Sequence, residues 1–252
     1  MESLASLTQN YRVAINDVDF TKKMKLSAAF NYFQEIANNH AFNLGIGINH
    51  ISEKNNVTWV LIKIRVDMLR YPAWDEEIVV KTWPHTPKKY EFERNYTISD
   101  LEGNILARCV STWVIIDLAT RELKKSETIS YEFHDFLTEK AIDCSLGKIR
   151  LPEDFDLAYR RMIGCSDIDM NGHLNNSKYV DFIMDCFTME QLRNNQAASI
   201  QVNYLSEAFP GDTVLMYRHI SETEPGKVYI KGTRESTGEN IFTAVLLTSP
   251  IS

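Results

Sequence analysis

Between Asp167 and Phe187 the chain reads Asp-Ile-Asp-Met-Asn-Gly-His-Leu-Asn-Asn-Ser-Lys-Tyr-Val-Asp-Phe-Ile-Met-Asp-Cys-Phe. Asp167, Asp169, Asn171 and His173 alternate with Ile168, Met170, Gly172 and Leu174. In an extended segment side chains two apart share a face, so this spacing lines up carboxylates, an amide and an imidazole. From Asn175 the period changes. Asn175 or Asn176 suits an N-cap, and Tyr179, Val180, Ile183, Met184 and Phe187 recur at helical spacing. Backbone N–H groups near Gly172 and at the helix start would then face a developing oxyanion. A turn that merely caps a core helix explains one His or one Asn. The whole constellation points to a reactive site, because a surface turn seldom needs an imidazole as well.

The elements that must position this set belong to an ordinary globular chain. It has 252 residues, 44% hydrophobic and 24% charged, enough for two domains or one large one with a sizeable core. No apolar run approaches the roughly 20 residues of a membrane helix. The first residues lack the basic start and apolar stretch of a signal peptide, so a cytoplasmic protein is expected. Cys109, Cys144, Cys165 and Cys186 are scattered, which suggests neither a disulfide framework nor a zinc site. A net charge of −7 argues against general nucleic-acid binding.

In chain order, Tyr11 to Ile15 is a strand candidate and Leu26 to Leu44 a long helix. The helix carries an apolar stripe through Leu26, Phe30, Phe33, Ile36 and His40, with Gly45 as its stop. A polar, exposed connection is expected near Asn49 to Asn56. Strands follow at Thr58–Met68, Glu76–Pro84, Tyr90–Ser99 and Ile105–Asp117, the last two joined by a turn at Asp100–Asn104. This plan then repeats. Asp167-Ile-Asp-Met echoes Asp17-Val-Asp-Phe at an offset of 150, and Ile200-Gln-Val-Asn-Tyr-Leu echoes Ile64-Arg-Val-Asp-Met-Leu at an offset of 136. The difference places 14 additional residues between the first helix and its next strand. Opposite Asn171, His173 and Glu207 stand Thr21, Lys23 and Tyr71, so the first half has lost the polar set. One active site per chain would look like this.

The run Asp169-Met-Asn171-Gly-His173-Leu-Asn175-Asn176-Ser-Lys178-Tyr179, followed by Tyr204-Leu-Ser-Glu207, resembles the acyl-acyl-carrier-protein thioesterases of plants and bacteria. The first half joins through Phe33-Gln-Glu-Ile-Ala-Asn-Asn-His40, Trp59-Val60, Arg70-Tyr-Pro-Ala-Trp74 and Trp113-Val-Ile-Ile116. The resemblance implies an α+β fold of two tandem hotdog units, each a long helix wrapped by a curved antiparallel β-sheet. We expect an N-terminal unit over 1–130, a connector over 131–158 and a catalytic C-terminal unit over 159–252. The resemblance further implies hydrolysis of the thioester that joins a fatty acyl chain to acyl carrier protein, with no cofactor or metal. By it, Asp169, Asn171, His173 and Glu207 fall on catalytic positions. A cysteine nucleophile directly after the Glu, once invoked for plant members, is excluded because Ala208 stands there.

Within such a reaction Glu207, beside Ala208 and Phe209, and His173 would activate water, while Asn171 orients the carbonyl or the water. Asp169 is either a nucleophile forming a transient anhydride or a group that holds Asn171 and water. Gly172 would offer its N–H to the oxyanion. Phe33 and Trp59, with Phe30, Leu61, Met68, Ile183 and Phe187, would line the acyl slot, though plain core is the commoner role for most of these residues. Cys165 is a rival nucleophile, though a small buried thiol is the commoner role. Lys22, Lys23, Lys25 or Arg160, Arg161 would dock an acidic carrier. The alternatives are an acyl-CoA thioesterase, a dehydratase and a non-catalytic acyl-thioester binder. The sequence leaves pairing of chains into a homodimer open.

Overall fold

One apolar helix organises the first half of the chain. In the computed structural model, which describes residues 5–130 and 135–251, α1 runs over Leu26–Asn43 and buries Leu26, Ala29, Phe30, Phe33, Ile36 and Ala37. It stops where Leu44 N–H bonds back to His40 and Gly45 takes a left-handed φ of +70°. Residues 1–4, 131–134 and 252 lie outside the description, and with them the start of the expected connector and the extreme N-terminus. The chain divides into two units between Leu146 and Gly147, inside the stretch expected to connect them.

In the first unit α1 is accompanied by α2 (Ile48–Asn55) and by strands β1 (Leu7–Arg12), β2 (Val57–Met68), β3 (Glu77–Pro84), β4 (Phe92–Ser99), β5 (Ile105–Asp117) and β6 (Leu123–Lys124). Their antiparallel order is β1-β3-β4-β5-β2, with β6 on β5. Two expectations are corrected. The stretch Asn49–Asn56 is not an exposed connection but α2, because Ile51 inserts among Ala41, Leu44, Ile46 and Val57. That burial outweighs the polar composition on which the loop expectation rested. The first strand is Leu7–Arg12, not Tyr11–Ile15, and Ile15 lies exposed in a short 3₁₀ turn.

The second unit holds β7 (Asp156–Met162), α3 (Asn176–Met184), α4 (Met189–Asn194), β8 (Asn195–Tyr204), β9 (Thr213–Ile220), β10 (Lys227–Arg234) and β11 (Asn240–Pro250). Its antiparallel order is β8-β11-β10-β9-β7. Numbered by order of appearance, this is the arrangement of the first unit. The helix is shorter than expected. α3 has 9 residues against the 18 of α1, and Phe187 falls beyond it, because Thr188 caps a new helix and receives the Gln191 N–H. Most of the additional residues of the first half therefore lie in its longer helices.

The repeat extends to single hydrogen bonds at the two sequence offsets. Val13 N–H bonds to Glu76 C=O at 2.9 Å, and Ile163 N–H to Asp212 C=O at 2.8 Å. Met24 N–H reaches Pro72 C=O at 2.8 Å, and Leu174 N–H reaches Ala208 C=O at 2.9 Å. At the mouth of each helix an aspartate ties the preceding turn. Asp17 accepts Ala14 N–H and the Tyr32 hydroxyl; Asp167 accepts Gly164 N–H at 3.0 Å and pairs with Arg161 at 3.0 Å. Their carbonyls take Lys25 N–H and Asn175 N–H, the residues that open the helices.

Asp167 is buried, so removing its carboxylate leaves the Gly164 amide without its acceptor. We expect Asp167→Ala to lower stability by about 1–3 kcal/mol. Urea unfolding measures this, and a change below about 0.5 kcal/mol would contradict the role given to the aspartate.

Candidate active site

The polar run does not form a straight row. Cys165–Asp167 makes one 3₁₀ turn, Ile168 bridges to Leu174, and the chain reverses between them. Asp169 N–H bonds to His173 C=O at 2.8 Å and Gly172 N–H to Asp169 C=O at 3.1 Å. Gly172 sits at a φ of +81°, which a side chain would strain. The Asp169 carboxylate folds into the turn it starts, and its Oδ1 accepts Asn171 N–H at 2.8 Å and His173 N–H at 3.3 Å. An Asp followed by Asn-Gly favours this local bonding over an extended strand, which is why alternation misled. Asp167 is separated from the others by its own bonds to Gly164 and Arg161.

This turn also corrects the expectation for Gly172. Its N–H serves the turn, as do those of Asn171 and His173, so none of the three faces outward as an oxyanion donor. The expected N-cap is present. Asn175 Oδ1 accepts Ser177 N–H and the Ser177 hydroxyl, both at 3.0 Å. Lys178 N–H goes to Asn175 C=O, which leaves Asn176 N–H as the first-turn donor that the cap does not use.

Glu207 arrives on the loop after β8. Leu205 and Ser206 N–H groups both reach Ile241 C=O, and the Leu174–Ala208 bond stitches this loop to the Asp169 turn. His173 Nδ1 then stands 3.6 Å from Glu207 Oε1, with both side chains about one-third exposed or less, at 27% and 34%. The imidazole packs edge-on against Phe209, with ring centroids 5.1 Å apart. Asp169, His173 and Glu207 are thus brought together, while Asn171 lies exposed at the tip of the turn.

Two further residues join them. Tyr179, on the first turns of α3, is buried against Tyr204 and Phe242. Burial pushes its phenol above the ordinary tyrosine range, and the negative charge of Glu207, and less strongly that of Asp169, push it the same way. The helical stripe placed Tyr179 in the core, but nothing in that pattern placed it within the electrostatic reach of two carboxylates. Arg234, at the end of β10, donates to Glu207 C=O and to Asp212 Oδ2. No local spacing signals it.

The remaining expected residues have these places within their own units. Phe33 is in the first unit's core, 5.2 Å from the Tyr96 ring. Trp59 is edge-on to Phe92 in the same unit and donates its indole N–H to Ile46 C=O at 2.9 Å. Cys165 is exposed rather than buried. Arg160 pairs with Glu235 at 2.7 Å, and Arg161 with Asp167 and Asp185, so both guanidinium groups are already engaged. Among the described residues no group of three His, Cys, Asp or Glu side chains converges to hold a metal ion. Among them, too, no helix is long and apolar enough to cross a membrane.

The comparisons with known proteins bear on this geometry. The profile of the acyl-ACP thioesterase N-terminal domain matches residues 5–133, and that of the C-terminal domain residues 152–246. A chloroplastic acyl-[acyl-carrier-protein] hydrolase of Cuphea viscosissima is 27% identical over 259 residues, covering 92% of this chain and 63% of its own length. A chloroplastic oleoyl-acyl carrier protein thioesterase of Coriandrum sativum is 26% identical over 227 residues, covering 83% and 61%. The chain therefore spans less than two-thirds of these curated relatives. Among solved structures, an acyl-ACP thioesterase from Bacteroides thetaiotaomicron superposes with a TM-score of 0.88 at 22% identity, over 97% of this chain and 98% of that one. The 12:0-ACP thioesterase from Umbellularia californica gives 0.85 at 20% identity, over 100% and 99%. At these identities the superpositions bear out the tandem hotdog fold expected from the sequence. With both halves matched by their profiles, the chain belongs to the acyl-ACP thioesterase family.

Proposed function

We propose that this protein hydrolyses fatty acyl thioesters of acyl carrier protein, with Glu207 and His173 as the acid–base pair. The observation that carries this reading is the placement of His173 Nδ1 3.6 Å from Glu207 Oε1, on two loops that a backbone bond holds together. That spacing is longer than a hydrogen bond, as contacts between catalytic groups often are without substrate. Water adds to the thioester carbonyl carbon as Glu207, assisted by His173, takes its proton. The carbonyl oxygen carries the charge of the tetrahedral species, and Asn176 N–H at the start of α3 is the backbone donor closest in kind to what that charge requires. The C–S bond then breaks, the proton passes to the departing sulfur, and the products are a free fatty acid and the carrier thiol.

The turn favours an orienting role for Asp169 over that of a nucleophile. Its Oδ1 accepts two backbone N–H groups and serves the turn that presents Asn171 and His173, so a nucleophilic role would fall to Oδ2 alone. Asn171, at the tip, is left to meet the substrate. Phe33 and Trp59 of the first unit bear on acyl binding, and that unit is catalytically silent. Lys22, Lys23 and Lys25 form the basic group for an acidic carrier, with Lys25 Nζ donating to Asn16 C=O at 3.0 Å. Four free cysteines suit the reducing interior expected of a cytoplasmic protein.

Steady-state hydrolysis of carrier-protein thioesters from short to long chains, beside the matching CoA series, tests the reaction and its acyl donor. Glu207→Gln should lower kcat at least about 100-fold without loss of fold by circular dichroism. Saturable binding with no turnover in the wild type would sink the proposal in favour of an acyl-thioester sensor. Faster turnover of CoA esters would move the substrate but keep the chemistry.

Single-turnover hydrolysis in ¹⁸O-water addresses Asp169. Label should enter the fatty acid alone, and label in the Asp169 carboxylate would establish a transient anhydride instead. Cys165→Ser should retain kcat within about twofold, since no step uses the thiol; a loss of about 100-fold would restore the cysteine reading.

A further inference from the structure

We propose that Arg234 is a positioning residue that sets the Glu207 carboxylate by holding the backbone on which it stands; this rests on Glu207 acting as the base. The guanidinium is largely enclosed, with 15% of the side chain exposed, and it bonds in three directions. Nη2 donates to Glu207 C=O, Nε to Asp212 Oδ2 at 3.1 Å and Nη1 to Glu239 Oε2 at 3.1 Å. Asp212 Oδ2 in turn accepts Phe209 N–H at 3.1 Å. A planar fork with fixed donor angles thus spans the loop from residue 207 to residue 212.

The geometry acts on Glu207 directly. Its carbonyl is attached to the Cα that carries the carboxylate side chain, so a bond to it fixes the peptide plane and the direction of Cα–Cβ. The next carbonyl, of Ala208, is fixed by Leu174 N–H from the His173 side. Two successive carbonyls are therefore held, one by Arg234 and one by the turn that bears the imidazole. Arg234 itself cannot drift. Its N–H bonds to Glu239 C=O at 2.8 Å, its carbonyl accepts Gly238 N–H at 2.8 Å, and it pairs with Val214 across the sheet.

The first unit provides the contrast. At the offset of 136, Ile98 stands opposite Arg234 and is fully buried. The residue opposite Asp212 is Glu76, and it is gripped by Arg70 from the same loop, at 2.6 and 2.9 Å, with both Nη atoms on the carboxylate. Holding the acid of this loop is common to both units. An arginine from the fourth main strand with an arm on the carbonyl at position 207 goes with the unit that keeps the glutamate.

A mutant cycle tests this on the whole chain, with folding checked by circular dichroism and thermal melting. Arg234→Met should lower kcat about 10- to 100-fold well below its melting temperature, with KM changed less than about threefold. Arg234→Lys keeps the charge but not the fork and should recover only part of that loss. In the Glu207→Gln background Arg234→Met should cost less than about twofold more, because a positioning residue has nothing left to position. Wild-type kcat in folded Arg234→Met, or an equal fold-loss in both backgrounds, overturns the inference. Should Arg234→Met fail to fold, Arg234→Lys carries the same cycle: its smaller loss of kcat must again fall below about twofold in the Glu207→Gln background, and an unchanged kcat or an equal loss in both backgrounds overturns the inference. Glu207→Gln with wild-type kcat would instead overturn the reading of the site itself.

Discussion

The hydrogen bond from Leu174 N–H to Ala208 C=O is the constraint on which the site depends. On one side of it is the turn that presents Asp169, Asn171 and His173, and on the other is the loop that presents Glu207. Neither loop is part of a regular ladder at that point, so this bond ties the imidazole's turn directly to the carboxylate's loop, while Leu205 and Ser206 N–H anchor that loop to Ile241 C=O. The first unit makes the same bond from Met24 N–H to Pro72 C=O, with Lys23 and Tyr71 at the positions of His173 and Glu207. The frame is thus a structural device of the repeated unit, and the chemistry is a matter of which side chains are hung on it.

That comparison also shows how the first unit closes the same turn with other side chains at the positions of Asn171 and His173. The bonds that close the turn run between backbone atoms and Asp carboxylates, with Asp19 Oδ1 taking Thr21 N–H at 2.7 Å as Asp169 takes Asn171 N–H. In this network Asn171 and His173 take part through backbone groups, so Thr21 and Lys23 replace them without disturbing it. Lys22 stands where Gly172 does and accepts a φ of +62°. That conformation costs a non-glycine residue of order 1 kcal/mol, which the surrounding bonds tolerate.

Much of this was legible in the sequence, and the failures share a cause. The strands β2 to β5 and helix α1 follow from periodicity because each buries one face, and that is what periodicity reports. The repeat was legible because two offsets in sequence are two offsets in space. Alternation failed at Asp169–His173, where side-chain bonding to the local backbone overrides the extended pattern. Polar composition failed at α2, where one buried residue, Ile51, decides the matter against seven neighbours of mixed character. That His173 meets Glu207 came from the resemblance, since no spacing rule joins a turn to a strand end. Tyr179 and Arg234 were not legible at all as members of the site. Arg234 lies 27 residues from Glu207 and meets it only because β10 returns the chain to that loop.

A site assembled from two loops and a stitch has its own stability, separate from that of the sheet behind it. Opening the residue 205–212 loop breaks a handful of bonds, while the strands and α3 keep their buried faces. Such partial openings lie well below the global unfolding free energy. On warming, the machinery would therefore come apart while the scaffold stays whole, and cooling would restore it as long as the sheet had not melted. Heat tolerance of the reaction and heat tolerance of the fold are then two different properties of this molecule.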